Sequence, residues 1–145
     1  MKALIQRVKK ASVTIEGELY SEIGFGMLIF LGVEKTDEIE NAKKLAEKLL
    51  NLRIFEDSDE KMNKSLLDIQ GEILVVSQFT LMADCKKGTR PSFDKAADAQ
   101  KANKLYEDFV KIIKQSKLSV KTGKFQAMMD ISLINNGPVT FLVEK

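Results

Sequence analysis

Hydrophobic residues recur along the chain with two different periods, and the change of period predicts where strands give way to helices. Residues 2–9 and 11–16 alternate and are rich in β-branched side chains, which indicates two strands paired like a hairpin. Residues 24–33 form a nearly continuous apolar run, and a similar run begins at Ile73 and continues towards Leu81. Such runs are typical of buried strands.

Two other segments carry apolar residues at the three- and four-residue spacing of an amphipathic helix. The first lies within residues 35–52, where Thr36 or Asp37 can cap the N-terminus. The second begins between Asp94 and Asp98 and presents a continuous apolar stripe. Both stripes require a sheet or another helix to cover them.

Many strands with two main helices predict an α+β fold in a single compact domain that spans residues 1–145. The core is expected to be a mostly antiparallel, barrel-like β-sheet. No apolar run reaches the roughly 18 residues that a membrane-spanning helix needs. The N-terminus also lacks the apolar segment of a signal peptide. We therefore expect a cytoplasmic protein without a membrane partner.

Histidine is absent and Cys85 is the only cysteine. This composition excludes imidazole as a base or metal ligand, and it excludes a zinc site of the Cys/His type. We expect neither a metal nor another cofactor. Catalysis would have to rely on hydroxyls, carboxylates, amines, backbone groups or the substrate itself.

The segment Ser77-Gln78-Phe79-Thr80 places polar side chains directly after the apolar residues 73–76. In an extended strand, Ser77 and Phe79 would share one face, and Gln78 and Thr80 the other. The segment is either a strand end that emerges into solvent or the lining of a pocket for a polar ligand. Thr80 could act as a nucleophile only beside a base, and no base lies nearby in the sequence.

Basic residues lie in and before a loop at residues 88–93 that contains a glycine and a proline. Arg90 and Phe93 suit a phosphate contact and a base-stacking surface, and Lys86 and Lys87 precede them. An ordered loop that leads into the next helix is the alternative. The net charge of +2 permits a polyanionic partner without requiring one.

The C-terminal part of the chain carries short alternating apolar runs. Phe125, Ala127 and Met129 alternate, which predicts one face of a strand that packs in the core. Residues 135–140, NNGPVT, separate two further runs, and the Gly137-Pro138 pair predicts a turn between two closing strands.

The motifs SQFT at 77–80 and NNGPVT at 135–140 match SQ-x-T and N-x-GP-[VT]-T, the signatures of the D-aminoacyl-tRNA deacylases. The chain resembles this family over its whole length. Its segments IQRVKKASV, IGFGMLIFLGV, LRIFED, KKGTRPSF and TGKF follow in the family's order and spacing. One departure is Gln126, where many family members have glycine. It leaves the expected activity intact and the finer substrate preference open.

The resemblance implies a cytoplasmic homodimer that hydrolyses the ester between a D-amino acid and the terminal adenosine of tRNA. It also implies removal of mischarged glycine. The resemblance implies that the catalytic residues are Ser77, Gln78, Phe79 and Thr80, which would line the pocket at the ester and the terminal adenosine. The 2′-hydroxyl of that adenosine would assist catalysis, and the protein would position it. Thr80 is then not the nucleophile.

The resemblance further implies a chirality filter at residues 135–140. Gly137-Pro138 would have a cis peptide bond and reach into the partner subunit's active site, where backbone carbonyls exclude an L side chain. The filter motif also includes the residues Asn135, Val139 and Thr140. The expected contacts with tRNA and its adenosine are Arg90, Phe93, Phe125, Met129, Lys86 and Lys87.

Two alternatives remain at this point. The first is a non-catalytic tRNA-binding dimer that uses the same pocket without cleaving the ester. The second is a structural dimer whose Gly-Pro pair only closes an interface. Wherever a nucleic acid is the partner, we expect it to be tRNA and not DNA.

Overall fold

The computed structural model describes every residue from Met1 to Lys145. The strands are β1 (Lys2–Ile15), β2 (Glu18–Ile23), β3 (Gly26–Gly32), β4 (Phe55–Glu56), β5 (Met62–Lys64), β6 (Glu72–Ser77), β7 (Val120–Thr122) and β8 (Asp130–Glu144). The helices are α1 (Ile39–Asn51), α2 (Leu66–Ile69) and α3 (Ala99–Lys114), and a 3-10 helix spans Phe79–Met82. No helix is both long enough and apolar enough to cross a membrane.

The long strand β1 organises the main sheet because both of its edges are paired. One edge pairs antiparallel with β3 and then with β2, and the other edge pairs antiparallel with β8. The prediction of two paired strands at residues 2–9 and 11–16 is therefore wrong, since both belong to β1. Lys9 and Lys10 are exposed at the centre of the strand, and they interrupt its apolar alternation.

The main sheet is mixed, with the strand order β2-β1-β3-β6-β7 and with β8 on the free edge of β1. β6 pairs parallel with β3, and β7 pairs parallel with β6. Each parallel pair needs a crossover, which α1 and α2 provide before β6 and which α3 provides before β7. Antiparallel pairs still outnumber parallel ones, in agreement with the predicted α+β fold.

The two long helices, α1 and α3, cover the main core of the sheet, as the helical spacing predicts. α3 begins after Asp98, at the end of the predicted interval. The apolar stripe of α1 buries Ala42, Leu45, Ala46 and Leu49. The stripe of α3 buries Leu105, Tyr106, Phe109, Val110 and Ile113.

The N-terminus of α1 differs from the prediction, because Glu38 is its N-cap. The N–H of Glu38 donates to Oδ1 of Asn41 at 2.9 Å, and the N–H of Asn41 donates to the main-chain carbonyl of Glu38 at 3.0 Å, so the Asn41 side chain closes the first turn. Asp37 is buried, and its carboxylate accepts a hydrogen bond from the backbone N–H of Glu34 at 2.6 Å. Neither Asp37 nor Thr36 is therefore the cap of this helix.

Candidate active site

A cavity of about 630 Å³ lies at the C-terminal end of β6. Its wall combines the ends of β3 and β6, the start of α3 and the segment 125–129. Crevices at the carboxyl ends of parallel strands are common ligand sites, because loops diverge there and leave concave surfaces. Five residues predicted for the site line this cavity: Ser77, Gln78, Phe79, Phe125 and Met129.

The chain leaves the sheet after Ser77, so the predicted strand alternation over residues 77–80 is wrong. The N–H of Gln78 still donates to the carbonyl of Leu31 at 2.8 Å, and the 3-10 helix follows immediately. This helix packs across Gly32, where an added Cβ would lie 2.6 Å from Cε of Met82. Because position 32 has no side chain, the 3-10 helix can pack against the end of β3. Gln78 and Phe79 then lie at the cavity.

The polar groups around the cavity are neutral. None of its lining residues is charged, and Thr80 is exposed beside the cavity, where its Oγ1 accepts a hydrogen bond from Nε2 of Gln78 at 2.5 Å. Thr80 has no hydrogen-bonded base. The N–H groups of Phe79 and Thr80 precede the first intrahelical donor, Leu81, and so lack an acceptor within the 3-10 helix.

Tyr106 supports the back wall of the cavity, a role that the sequence pattern does not reveal. Its hydroxyl donates to the carbonyl of Val75 at 2.9 Å, and its ring lies 5.9 Å from that of Phe125. Burial raises the pKa of the Tyr106 phenol to about 12, against a smaller opposing effect of its hydrogen bond with Thr122. The phenol is therefore neutral at physiological pH and acts as a donor.

The segment 125–129 is a turn and not a strand, so the predicted strand face of Phe125, Ala127 and Met129 is wrong. Gln126 has φ of 61°, in the left-handed region that favours glycine. The reversal at Gln126 brings both Phe125 and Met129 to the cavity, together with Gln126 itself.

The stretch NNGPVT is a bulge within β8, and the predicted turn between two strands is wrong. Residues on both sides of it pair with β1 in the same direction, as Gln6 lies opposite Thr140 and Val8 opposite Asn135. A two-residue step in β1 thus faces a five-residue step in β8. The peptide bond between Gly137 and Pro138 is cis, and both residues are exposed.

Asn135 closes the bulge with its side-chain amide. Its Oδ1 accepts from the N–H of Val139 at 2.7 Å, and its Nδ2 donates to Oγ1 of Thr140 at 2.9 Å. Val139 is buried in the main core, so it anchors one end of the bulge. Gly137 and Pro138 therefore project from a support that is fixed on both sides.

Arg7 holds the bulge from β1, and it is absent from the site residues that the sequence predicts. Only 3% of Arg7 is exposed, and its Nε donates to the carbonyl of Asn136 at 2.9 Å. Its Nη1 donates to the carbonyl of Ile54 at 2.8 Å, and its Nη2 pairs with Glu56 at 2.9 Å. The sequence does carry a signal for this role, because Arg7 is in phase with the buried Ile5 and a buried cation requires partners.

The loop that follows the 3-10 helix is held by a bridge between Asp84 and Ser92. It places the ring of Phe93 5.0 Å from that of Phe79, at the edge of the cavity. The predicted tRNA-contact residues of this loop do not line the cavity itself. They are Lys86, Lys87, Arg90 and Phe93.

Within one chain, the two motifs do not share a pocket, since no residue of 135–140 lines the cavity. The family model for D-Tyr-tRNA(Tyr) deacylase matches residues 4–144. The chain belongs to the D-Tyr-tRNA(Tyr) deacylase family. This confirms the family that the two motifs indicate.

The deacylase is similar to curated relatives over almost its whole length. It is 56% identical to the D-aminoacyl-tRNA deacylase of Thermodesulfovibrio yellowstonii over 143 residues, which cover 99% of this chain and 98% of the relative. It is 55% identical to the D-aminoacyl-tRNA deacylase of Thermosipho africanus, with 99% and 97% covered. The deacylase is thus an enzyme that hydrolyses a carboxylic ester of aminoacyl-tRNA, as predicted.

Two solved structures share the fold of the deacylase. The structure named "c-Myc DNA Unwinding Element Binding Protein" has a TM-score of 0.95 and 42% identity, and 100% of this chain and 99% of that chain are covered. A structure described as a probable eukaryotic D-amino acid tRNA deacylase has a TM-score of 0.88 and 17% identity, with 99% and 98% covered. The second likeness concerns the fold alone, and the α+β single-domain fold is confirmed.

Proposed function

We propose that this deacylase works as a homodimer that removes D-amino acids, and mischarged glycine, from the terminal adenosine of tRNA in the cytoplasm. The observation that carries the proposal is the uncharged cavity beside Gln78, with hydroxyls, an amide and backbone N–H groups at its rim. An aminoacyl ester is already activated towards water. Orientation and stabilisation of the oxyanion can therefore hydrolyse it without imidazole or metal.

In the proposed reaction, the adenosine lies against Phe125 and Met129, and the ester carbonyl faces the 3-10 helix. Water adds to the carbonyl carbon while the neighbouring 2′-hydroxyl of the ribose orients it. The N–H groups of Phe79 and Thr80 stabilise the oxyanion, because they have no acceptor within the 3-10 helix. The bond from the carbonyl carbon to the 3′-oxygen then breaks, and this oxygen takes the proton that the attacking water gives up, which frees the tRNA and the amino acid.

We propose that residues 135–140 of the partner subunit complete the site as a chirality filter. Gly137 and Pro138 are exposed on a bulge that Arg7 and Asn135 hold from two sides. Main-chain carbonyls at this position would exclude an L side chain whatever its chemistry. One cavity could then accept many D-amino acids, and glycine as well.

The surface of β8 supports the proposed homodimer. The edge of β8 that faces away from β1 has no partner strand, and Ile134, Phe141 and Leu142 are exposed along β8. An unpaired edge with exposed apolar residues favours association with another chain. Leu142→Asp should shift the mass in sedimentation equilibrium towards the monomer. Leu19→Asp is the matched control, since Leu19 is similarly exposed but lies on β2.

The deciding experiment measures release of tyrosine from D-Tyr-tRNA and L-Tyr-tRNA, and release of glycine from Gly-tRNA. We expect cleavage of the D ester and the glycyl ester, sparing of the L ester, and no effect of a metal chelator. Replacing the terminal adenosine by 2′-deoxyadenosine should abolish cleavage. Thr80→Val should reduce the rate far less than this replacement. Equal rates on both enantiomers would contradict the chirality filter.

A non-catalytic tRNA-binding dimer is the second candidate, and the same assay separates the two. Under that alternative, the protein binds aminoacyl-tRNA without loss of the ester above background. One solved structure with this fold belongs to a protein whose name refers to binding of a DNA element. Binding of tRNA should therefore also be measured in the presence of single-stranded DNA. We expect the DNA not to displace the tRNA, since tRNA and not DNA is the expected partner.

A further inference from the structure

Phe79 and Phe93 form an aromatic pair at the mouth of the cavity. Their ring centroids are 5.0 Å apart and the rings are tilted by 53°. Phe79 is 56% exposed and Phe93 is 39% exposed, so the pair remains open to solvent. Phe79 lines the cavity and Phe93 does not. The pair therefore extends an apolar wall from the adenosine site outward over the surface.

The backbone around Phe93 is held in place on both sides. Asp84 and Ser92 exchange two hydrogen bonds, at 2.8 and 3.0 Å, and the carbonyl of Phe93 accepts from the N–H of Ala96 at 2.9 Å. The ring is thus presented by a structured loop that runs into α3. A ligand that stacks on it does not have to order this loop first.

The same loop is basic and its cations are free. Residues 84–95 contain four cations and two carboxylates, a net charge of +2 that equals the net charge of the whole chain. None of the four takes part in an ion pair, although the chain forms eight such pairs elsewhere. These four cations are Lys86, Lys87, Arg90 and Lys95.

We propose that Phe79 and Phe93 are a stacking platform for the nucleotide that directly precedes the terminal adenosine, with its phosphates held by the cations of residues 84–95. The inference rests on the proposed function, which places the adenosine in the cavity. The next nucleotide must then leave through the mouth of the cavity, where this pair lies. Aromatic rings with nearby cations are the usual combination for single-stranded nucleic acid, because every base has a stacking face and every linkage a charge.

The test compares two substrates that differ in this nucleotide. D-Tyr-tRNA contains it, whereas 3′-O-(D-tyrosyl)adenosine does not. We expect Phe93→Leu to lower the ratio of kcat/KM for the tRNA to kcat/KM for the adenosine ester by about tenfold, the effect of losing one base–aromatic stack. Phe93→Tyr keeps an aromatic ring and should restore the ratio.

The matched control is Phe25→Leu, which removes another exposed aromatic ring, beside the start of β6 and so at the opposite end of that strand from the cavity. It should leave the ratio unchanged. An unchanged ratio for Phe93→Leu would overturn the platform, as would a ratio lowered equally by both variants. If the unmodified enzyme cleaves neither substrate, the proposed deacylation itself is wrong. The platform is then tested by the Kd for uncharged tRNA, which Phe93→Leu should raise about tenfold.

The charged part of the platform has its own measurement. Binding of uncharged tRNA should weaken with salt, and Lys86→Gln with Lys87→Gln should reduce the slope of log K against log[salt] by about 1.4, since each contact to a single strand contributes about 0.7. The control is Lys44→Gln with Lys48→Gln, on the exposed face of α1. Equal slopes in both double variants would show that the loop does not contact the phosphates.

Discussion

The guanidinium of Arg7 donates a hydrogen bond from Nε to the carbonyl oxygen of Asn136 at 2.9 Å, one residue before the Gly137–Pro138 bond. The same side chain bonds the carbonyl of Ile54 and the carboxylate of Glu56. A single buried cation therefore ties the bulge of β8 to the segment that follows α1. Its planar set of donors can satisfy three acceptors at once, which a lysine cannot do in the same geometry.

We expect Arg7→Leu to lower the free energy of unfolding by about 3 kcal/mol, because the buried carbonyl of Ile54 and the partly buried carbonyl of Asn136 lose their donor. Arg7→Lys retains the charge but not the three-way geometry, so it should fold and show a D/L rate ratio reduced by about tenfold. Denaturant unfolding and the deacylation assay measure the two effects. Glu56→Gln is the control, and its cost should stay below about 1 kcal/mol, because Glu56 is half-exposed. An unchanged D/L rate ratio for Arg7→Lys would show that Arg7 does not position the chirality filter.

Gly137→Ala should destabilise the bulge by roughly 2–4 kcal/mol. Gly137 has φ of 135°, and an added Cβ would lie 2.7 Å from Cγ2 of Val139 and 3.1 Å from Nη2 of Arg7. Gly17→Ala is the matched control, since Gly17 also has a positive φ but nothing within 4 Å of the added Cβ. It should cost only about 1 kcal/mol. Equal losses in thermal unfolding would mean that backbone conformation alone, and not crowding, requires glycine at position 137.

The local sequence predicts those elements whose packing is regular. The apolar stripes of α1 and α3 and the buried runs of β3 and β6 all appear, because each depends on one face meeting one core. The pattern divides β1 into two strands because Lys9 and Lys10 interrupt it at the surface. The continuity of β1 comes from β8, which pairs along nearly all of it and lies more than a hundred residues away.

The site residues are identified by motif, whereas their geometry depends on contacts between distant segments. The turn of the chain at Gln78 depends on Gly32 in another strand. The bulge at Gly137 follows from register with β1, whereas a local Gly-Pro signal predicts a turn. Arg7 and Tyr106 donate to carbonyls of distant segments. The phase of Arg7 with Ile5 indicates that it is buried, but no spacing in the sequence indicates which carbonyls either residue bonds.

Gln126→Gly should stabilise the protein by about 0.5–1 kcal/mol. The backbone φ at position 126 is 61°, and glycine adopts this angle without the steric cost of a Cβ atom. The expected rise in Tm is about 2–4 °C, measured by thermal unfolding. Gln126→Ala is the control, since it removes the side chain but keeps the unfavourable conformation, and it should not raise Tm. A rise in Tm in both variants would show that loss of the glutamine side chain, and not the backbone conformation at position 126, raises stability. Because Gln126 lines the cavity, the relative rates on D-Tyr-tRNA and Gly-tRNA should be measured on the same variants.

Tyr106→Phe should lower the free energy of unfolding at pH 7 by about 1–2 kcal/mol, because the buried carbonyl of Val75 loses its donor. The variant should also change the response to alkaline pH. The pKa of Tyr106 rises from 10.0 to about 12 on folding, so between these values the unfolded chain releases a proton that the folded chain keeps. Stability from this phenol is therefore complete below pH 10 and is lost as the pH rises towards 12.

This loss amounts to about 2–3 kcal/mol over the two pH units. The two proteins share all their other ionisable groups, so the measured quantity is the difference between the two pH profiles of denaturant unfolding. That difference should fall to zero and then reverse in sign between about pH 10 and about pH 12, because the unmodified protein loses more than the variant lost at pH 7 and the variant has no phenol to ionise. A parallel profile for Tyr106→Phe would instead show that Tyr106 ionises equally in the folded and unfolded chains.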